Sequence, residues 1–95
     1  MDFEAKMLAL STIAHRSRLD IFRTLVTSGV TEMSAGQISG HLEIVPSSLS
    51  FHLKDMLQAR LVSARRQGTF IYYSPNVDTL RGAIDLLKEM CAPSK

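Results

Sequence analysis

The chain has 95 residues, of which 45% are hydrophobic and 21% charged, and it contains one cysteine. This composition predicts one globular domain over residues 1–95, and a single cysteine excludes an intramolecular disulfide and an internal cysteine cluster for a metal. No apolar run approaches the roughly 18 residues of a membrane span, and the acidic N-terminal stretch MDFEAKMLAL is unlike a signal peptide, so we expect a cytoplasmic protein with no membrane partner.

The net charge of +2 is concentrated in one part of the chain. Residues 46–73 carry four cations and one anion, a surplus of three, whereas the rest of the chain is slightly acidic. The charged residues of this segment are Lys54, Arg60, Arg65, Arg66 and Asp55. Such a surplus attracts a polyanion, although small basic patches are also common on solvated surfaces.

Two amphipathic helices are predicted before the first glycine. Apolar residues recur at steps of three and four, which predicts one helix over residues 2–14 and a second over residues 17–28, where Gly29 provides a C-terminal stop. The apolar stripe of the first helix consists of Phe3, Met7, Leu10 and Ala14.

A helix-turn-helix is predicted next. Ser34 and Gln37 have the spacing of a capping box, so a short helix is expected over residues 34–42. Pro46 fits the first turn of another helix, to about Arg60, because that turn leaves the missing N–H donor unpaired anyway. The intervening turn, EIVP, has about four residues, which is typical of a helix-turn-helix.

After Leu61 the period changes from 3.6 to about two residues. Two short runs of β-favouring residues, about 61–66 and 69–74, flank Gly68, which permits the positive φ of a tight turn. A β-hairpin with basic residues near its tip is therefore predicted.

A last helix is predicted from Asn76 or Asp78, either of which suits an N-cap, to about Cys91. Its apolar residues repeat at steps of three and four, and this narrow seam suits packing against another helix. The seam consists of Val77, Leu80, Ile84, Leu87 and Cys91.

Helices followed by a β-hairpin predict a mainly helical, winged helix-turn-helix fold, in which the helix that begins at Pro46 enters a DNA major groove. One side of that helix is apolar, while the other is rich in small hydroxyl groups that allow close approach and bond phosphates or bases. The candidate DNA contacts on this face are Ser47, Ser48, Ser50, Phe51, His52 and Lys54. The candidate contacts on the hairpin, the wing, are Arg65, Arg66, Gln67 and Thr69.

The segment SSLSFHLKDMLQARLVSARRQGTFIYYSPN resembles the recognition helix and wing of ArsR/SmtB-type transcriptional repressors, and AHRSRLDIFRTL is similar to the second helix of that family. The resemblance implies a homodimer built on the first and last helices, binding to a double-stranded DNA operator, and release of the DNA by an inducer. Phe3, Met7 and Leu10, together with the seam of the last helix, would then form the dimer interface. Two recognition helices related by a two-fold axis would read an imperfect palindrome.

The sequence does not identify the inducer. Thiolate-sensing members of the family have a Cys-x-Cys pair where this chain has Ser34 and Gly36, and residues 76–91 contain no histidine for a zinc-type site. Arsenite bound by three thiolates would need more than Cys91, because a symmetric dimer supplies only two. A metalloid or metal inducer, a thiol redox signal and the absence of any ligand stay open, and Cys91 is interpreted first as a small hydrophobic residue of the seam.

The alternative function is a winged helix that binds proteins, which would keep the core and the seams but would need neither the serine-rich face nor the basic wing. Phe51 is also compatible with packing on the domain, and His15 and His41 are predicted to be capping or surface residues rather than metal ligands. No Ser-His-Asp pattern, glycine-rich phosphate loop or paired-carboxylate motif indicates an enzyme.

Overall fold

The computed structural model describes residues 2–93. The elements in chain order are α1 (Phe3–Ile13), α2 (Arg16–Thr27), β1 (Met33–Ser34), α3 (Ala35–Leu42), α4 (Pro46–Gln58), β2 (Val62–Gln67), β3 (Phe70–Pro75) and α5 (Val77–Met90). The mainly helical fold and the hairpin agree with the prediction from sequence, whereas β1 was not predicted. Two residues are too few for an alternating pattern to be recognised, so this strand has no signal in the sequence.

The helix-turn-helix begins with the predicted capping box. The Gln37 backbone N–H donates to the Ser34 hydroxyl at 3.2 Å, and the Ser34 backbone N–H donates to Gln37 Oε1 at 2.8 Å. The helix α3 ends at Glu43, which has a left-handed φ of 55°, and α4 begins at Pro46. The short turn therefore redirects the chain so that α4 crosses α3.

The three strands form one antiparallel sheet in the order β1-β3-β2. Met33 pairs with Tyr73 at one edge, and Gln67 pairs with Phe70 where the hairpin turns. Gly68 has a φ of 61°, as the tight turn requires. The hairpin is thus joined to the body of the domain through its inner ends, while its tip projects.

The core lies between the helices and the inner end of the sheet. Its largest fully buried side chains are Ile21, Ile38, Leu49, Leu53, Met56 and Leu61. The apolar side of α4 therefore faces inward, as its spacing predicted, and the opposite side of this helix is left for solvent. Among the described residues, no helix is long and apolar enough to cross a membrane.

The terminal helices α1 and α5 pack on each other and leave apolar side chains exposed. Phe3 and Met7 on α1 are 56% and 44% exposed, and Ile84 and Leu87 on α5 are 41% and 45% exposed. Cys91 is also exposed. The other three residues predicted for a dimer interface, Leu10, Val77 and Leu80, pack in part against the core of their own chain.

Candidate nucleic-acid interface

The outward side of α4 presents most of the residues predicted to contact DNA. The exposed ones are Ser47, Ser48, Ser50, Phe51 and Lys54. Phe51 is 60% exposed, so most of its surface is open to solvent, although one side of the ring lies near Arg18 of the same domain. Small hydroxyl side chains at the start of this helix let its backbone approach another surface closely, and contact with DNA stays a prediction for all five residues.

His52 is the exception on this helix. Its side chain is only 9% exposed, and its Nδ1 accepts a hydrogen bond from Arg18 Nε at 3.1 Å. The prediction that His52 lies on the exposed face is wrong. Because His52 follows Leu49 by three positions and precedes Met56 by four, helical spacing places it on the buried stripe.

Arg18 of α2 fastens α4 to the rest of the domain, a role that sequence reasoning missed. Its Nη2 donates to Asp55 Oδ2 at 2.6 Å, and its Nη1 donates to the Thr12 carbonyl oxygen at 3.4 Å. The guanidinium also lies 5.9 Å from the centre of the Phe51 ring. One planar side chain thus contacts α1, α2 and α4, since its five N–H groups point in several directions.

The environment of His52 favours its neutral form. Burial lowers the pKa of His52 most strongly, and the nearby positive charge of Arg18 and the interaction with His15 lower it further, while Asp55 raises it. The rings of His15 and His52 have centroids 4.8 Å apart. His15 caps α2 by accepting from the Ser17 N–H at 3.2 Å, so the prediction of a capping histidine is confirmed.

The wing residues predicted to contact DNA, Arg65, Arg66, Gln67 and Thr69, are all exposed. Phe70, which follows them at the tip, is 60% exposed and was not singled out from the sequence. Its position directly after the turn could have indicated this exposure, because a hairpin tip has no core to cover it. The wing therefore presents an aromatic ring beside its basic residues.

The two wing arginines differ in their surroundings. Arg65 Nε donates to both carboxylate oxygens of Glu32, at 3.1 and 3.2 Å, and Arg65 Nη1 donates to Gln67 Oε1 at 2.8 Å. This pairing lowers the pKa of Glu32 and raises that of Arg65. Within residues 2–93, the Arg66 side chain has neither a hydrogen-bond nor an ion-pair partner.

The described residues contain no cluster of three or more His, Cys, Asp or Glu side chains that could hold a metal ion. His41 is exposed at the end of α3, as predicted for a surface histidine, and Cys91 lies alone beyond α5. The exposed Cys91 is thus a single soft ligand in each chain, too few for a tetrahedral site.

Comparison with known proteins is consistent with this architecture. Residues 16–64 match the family model described as "Bacterial regulatory protein, arsR family". The chain is 36% identical over 77 residues to the transcriptional repressor SdpR of Bacillus subtilis, which covers 81% of this chain and 79% of that protein. It is 33% identical over 89 residues to the arsenical resistance operon repressor of Bacillus subtilis, which covers 94% of this chain and 78% of that protein.

A solved structure supports the same conclusion. The crystal structure of the transcriptional repressor PagR of Bacillus anthracis superposes with a TM-score of 0.72 at 34% sequence identity, covering 88% of this chain and 93% of that one. The structural match covers more of the chain than the 49 residues, 16–64, that match the family model.

Proposed function

Because the chain belongs to the arsR family of bacterial regulatory proteins and is a DNA-binding regulator of transcription, we propose that it is a homodimeric repressor that binds a palindromic operator. The observation that carries the proposal is the exposed, serine-rich side of α4 beside a wing whose Arg66 side chain has no ion-pair partner within residues 2–93. Neither feature serves the core of the chain. The repressor names of SdpR and PagR support the sign of regulation.

In the proposed complex, α4 enters the major groove. Its first turn places Ser47, Ser48 and Ser50 against base edges and phosphates, and Phe51 meets a thymine methyl group. Lys54, one turn further along α4, neutralises a phosphate. The wing follows the neighbouring backbone or reaches into the minor groove.

The dimer places α1 and α5 of the two chains against each other. The apolar residues Phe3, Met7, Ile84 and Leu87 are 41–56% exposed, and burying such side chains is the main favourable term in association. Apolar side chains also lie on several sides of α1, since Leu8 is 46% exposed as well. A helix that is apolar on several sides is stable when it is buried on several sides.

Two recognition helices in such a dimer read half-sites about one helical turn, or a multiple of it, apart. An inducer releases the DNA by binding better to a dimer conformation whose helices no longer fit successive grooves. The chemical identity of the inducer is open, because Cys91 is the one thiol and no metal-ligating cluster lies among residues 2–93.

Duplex binding at increasing salt tests the DNA surface. If the dimer neutralises roughly six phosphates, log affinity should fall against log salt with a slope of about −5. Lys54→Ala should make the slope less steep by about 1.8, one phosphate in each protomer. Lys88→Ala, which removes an exposed charge from α5, should leave it unchanged. A flat salt response of the wild-type chain would favour a protein-binding module instead.

Sedimentation of interface variants tests the dimer. Met7→Glu should yield monomers that bind a single half-site weakly, because a charge would be buried between two copies of α1. Val26→Glu is the matched control, since Val26 is 49% exposed on α2, outside the proposed interface. A wild-type chain that is monomeric at working concentrations would contradict the proposal.

Operator release and reporter expression test the remaining parts. Arsenite, zinc and peroxide should each be titrated into two protein–DNA complexes, one with the wild-type protein and one with Cys91→Ser. Responses that are identical in both proteins would eliminate the thiol as sensor. Expression of a reporter from the bound promoter should rise when the gene for this chain is deleted; a fall would identify an activator.

A further inference from the structure

The two arginines of the wing point to opposite faces of the sheet. Successive residues of a strand alternate in direction, and residues that pair across strands share a face. Arg65 pairs with Tyr72, whereas Arg66 pairs with Ile71. The strand β3 lies between β1 and β2, and Glu32 directly precedes β1. The Arg65 side chain therefore extends from β2 across Tyr72 to reach Glu32 at the opposite edge of the sheet.

The contacts of Arg65 occupy its guanidinium on several sides. Nε and Nη2 both donate to the Glu32 carboxylate, and Nη1 donates to Gln67. The guanidinium carbon lies 5.1 Å from the centre of the Tyr72 ring. A carboxylate held by two nitrogens of a guanidinium is the arrangement that also binds phosphate, so Glu32 occupies the site that a phosphate would take.

The charge of the wing follows from this pairing. Glu32 neutralises the charge of Arg65. On the other face of the hairpin, the Arg66 side chain has no oppositely charged partner within residues 2–93. A phosphate that bound Arg65 would first have to displace Glu32, whereas a phosphate that bound Arg66 would displace only water.

We propose that Glu32 is a positioning residue that keeps Arg65 on the sheet and away from DNA, so that Arg66 is the phosphate-binding arginine of the wing. This inference rests on the proposed function as a DNA-binding dimer. The sequence pattern does not distinguish these neighbouring arginines. In this proposal, Arg65 fastens the wing and Arg66 contacts DNA.

The test compares the salt dependence of duplex binding for Arg65→Gln and Arg66→Gln, two adjacent variants that remove the same charge. Arg66→Gln should reduce the slope of log affinity against log salt by about 1.8, because each wing of the dimer loses one phosphate contact. Arg65→Gln should reduce it by less than half as much. Equal reductions in the two variants would overturn the inference.

Glu32→Gln provides the complementary arm. Removal of the carboxylate frees Arg65 for phosphate, so the slope should become steeper, by up to about 1.8. In the double variant Glu32→Gln/Arg65→Gln, which has the same net charge as the wild type, this gain should disappear. If Glu32→Gln steepens the slope equally in the wild type and in Arg65→Gln, the effect reflects only the lost negative charge. That result would overturn the inference.

The outcome for the wild-type chain separates this inference from the proposed function. A wild-type dimer with a steep slope, together with equal effects of Arg65→Gln and Arg66→Gln, rejects the role of Glu32 alone. A wild-type chain that binds no duplex rejects the proposed function and this inference with it. The thermal midpoint of every variant should be measured to show that the fold is intact, since Arg65 and Arg66 are exposed and Glu32 is partly buried.

Discussion

Two arginine–carboxylate pairs fasten α4 and the wing to the rest of the domain, and they differ in burial. Arg18 and Asp55 join α2 to the recognition helix, with side chains 13% and 34% exposed. Arg65 and Glu32 join the wing to the loop before β1, with side chains 51% and 27% exposed. Water and salt screen the second pair more strongly, so the same chemistry is worth less there.

The difference in burial separates two mechanical roles. The recognition helix is held as part of the core, because Leu49, Leu53 and Met56 pack inward and Arg18 holds its polar side. The wing is held by the hydrogen bonds between its strands and by the more exposed Arg65–Glu32 pair. We therefore expect variants at the α2–α4 junction to change stability, and variants of the wing pair to change DNA binding more than stability.

Arg18→Ala should have the largest effect. It removes hydrogen bonds to Asp55, His52 and the Thr12 carbonyl, and it leaves a carboxylate and a ring nitrogen without their donor. We expect a loss of about 2–3 kcal/mol in the free energy of unfolding, measured by urea denaturation.

Arg23→Ala is the matched control for Arg18→Ala. Arg23 also lies on α2 and pairs with Asp20 at 3.1 Å, but its side chain is 76% exposed. Its removal should change stability by less than about 0.5 kcal/mol. Equal losses in the free energy of unfolding for Arg18→Ala and Arg23→Ala would show that burial of the pair does not determine its contribution to stability.

Asp55→Asn should have an intermediate effect. The amide oxygen still accepts a hydrogen bond from Arg18 but no longer carries the opposing charge, so we expect a loss of about 1 kcal/mol in the free energy of unfolding. Asp20→Asn, at the exposed pair of α2, should change the urea midpoint much less. A larger loss of stability in Asp20→Asn than in Asp55→Asn would contradict the conclusion that Asp55 holds α2 and α4 together.

Acidification should weaken the α2–α4 junction through His52. Its folded pKa is lowered from 6.5, so the unfolded chain binds this proton more readily than the folded chain does. The stability due to the neutral ring is complete above about pH 6.5 and is lost as the pH falls from there through the lower folded pKa. His52→Asn should therefore lose less stability than the wild type between about pH 7.5 and 5.5.

His41→Asn is the control for this pH dependence, because His41 is exposed on α3. It should follow the wild-type curve in urea denaturation at each pH. If His52→Asn also follows the wild-type curve, His52 does not contribute to the pH dependence.

Arg65→Ala should affect stability less than Arg18→Ala or Asp55→Asn. The pair with Glu32 is at the surface, and we expect the free energy of unfolding to change much less than in Arg18→Ala. High salt should reduce this difference further, whereas it should leave most of the Arg18→Ala difference in place. A loss in the free energy of unfolding as large as that of Arg18→Ala would show that the Arg65–Glu32 pair stabilises the fold despite its exposure.

Much of the fold was predictable from local patterns. The capping box at Ser34, the helix start at Pro46 and the turn at Gly68 each depend on residues within a few positions of one another, so the sequence shows them directly. The apolar side of α4 was predicted for the same reason. The strand β1 was not, because a two-residue strand exists only through its pairing with β3.

The candidate site was predicted as a surface but not residue by residue. Ser47, Ser48, Ser50, Phe51 and Lys54 are exposed as expected, while His52 turned out to be buried. Phe70 was missed because no periodicity marks the tip of a hairpin. These differences arise where the availability of a side chain depends on neighbours from other elements.

The amino-acid sequence by itself determined the helices, the turn between α3 and α4, the hairpin and the family, because each follows from spacing and from contacts between residues close in the chain. Only the tertiary structure decided which of these polar side chains stay exposed and which are bonded to other parts of the chain. His52 is engaged by Arg18, 34 positions away, and Arg65 by Glu32, 33 positions away. Partners at such separations meet only when the helices and the sheet have packed, and no local pattern records them.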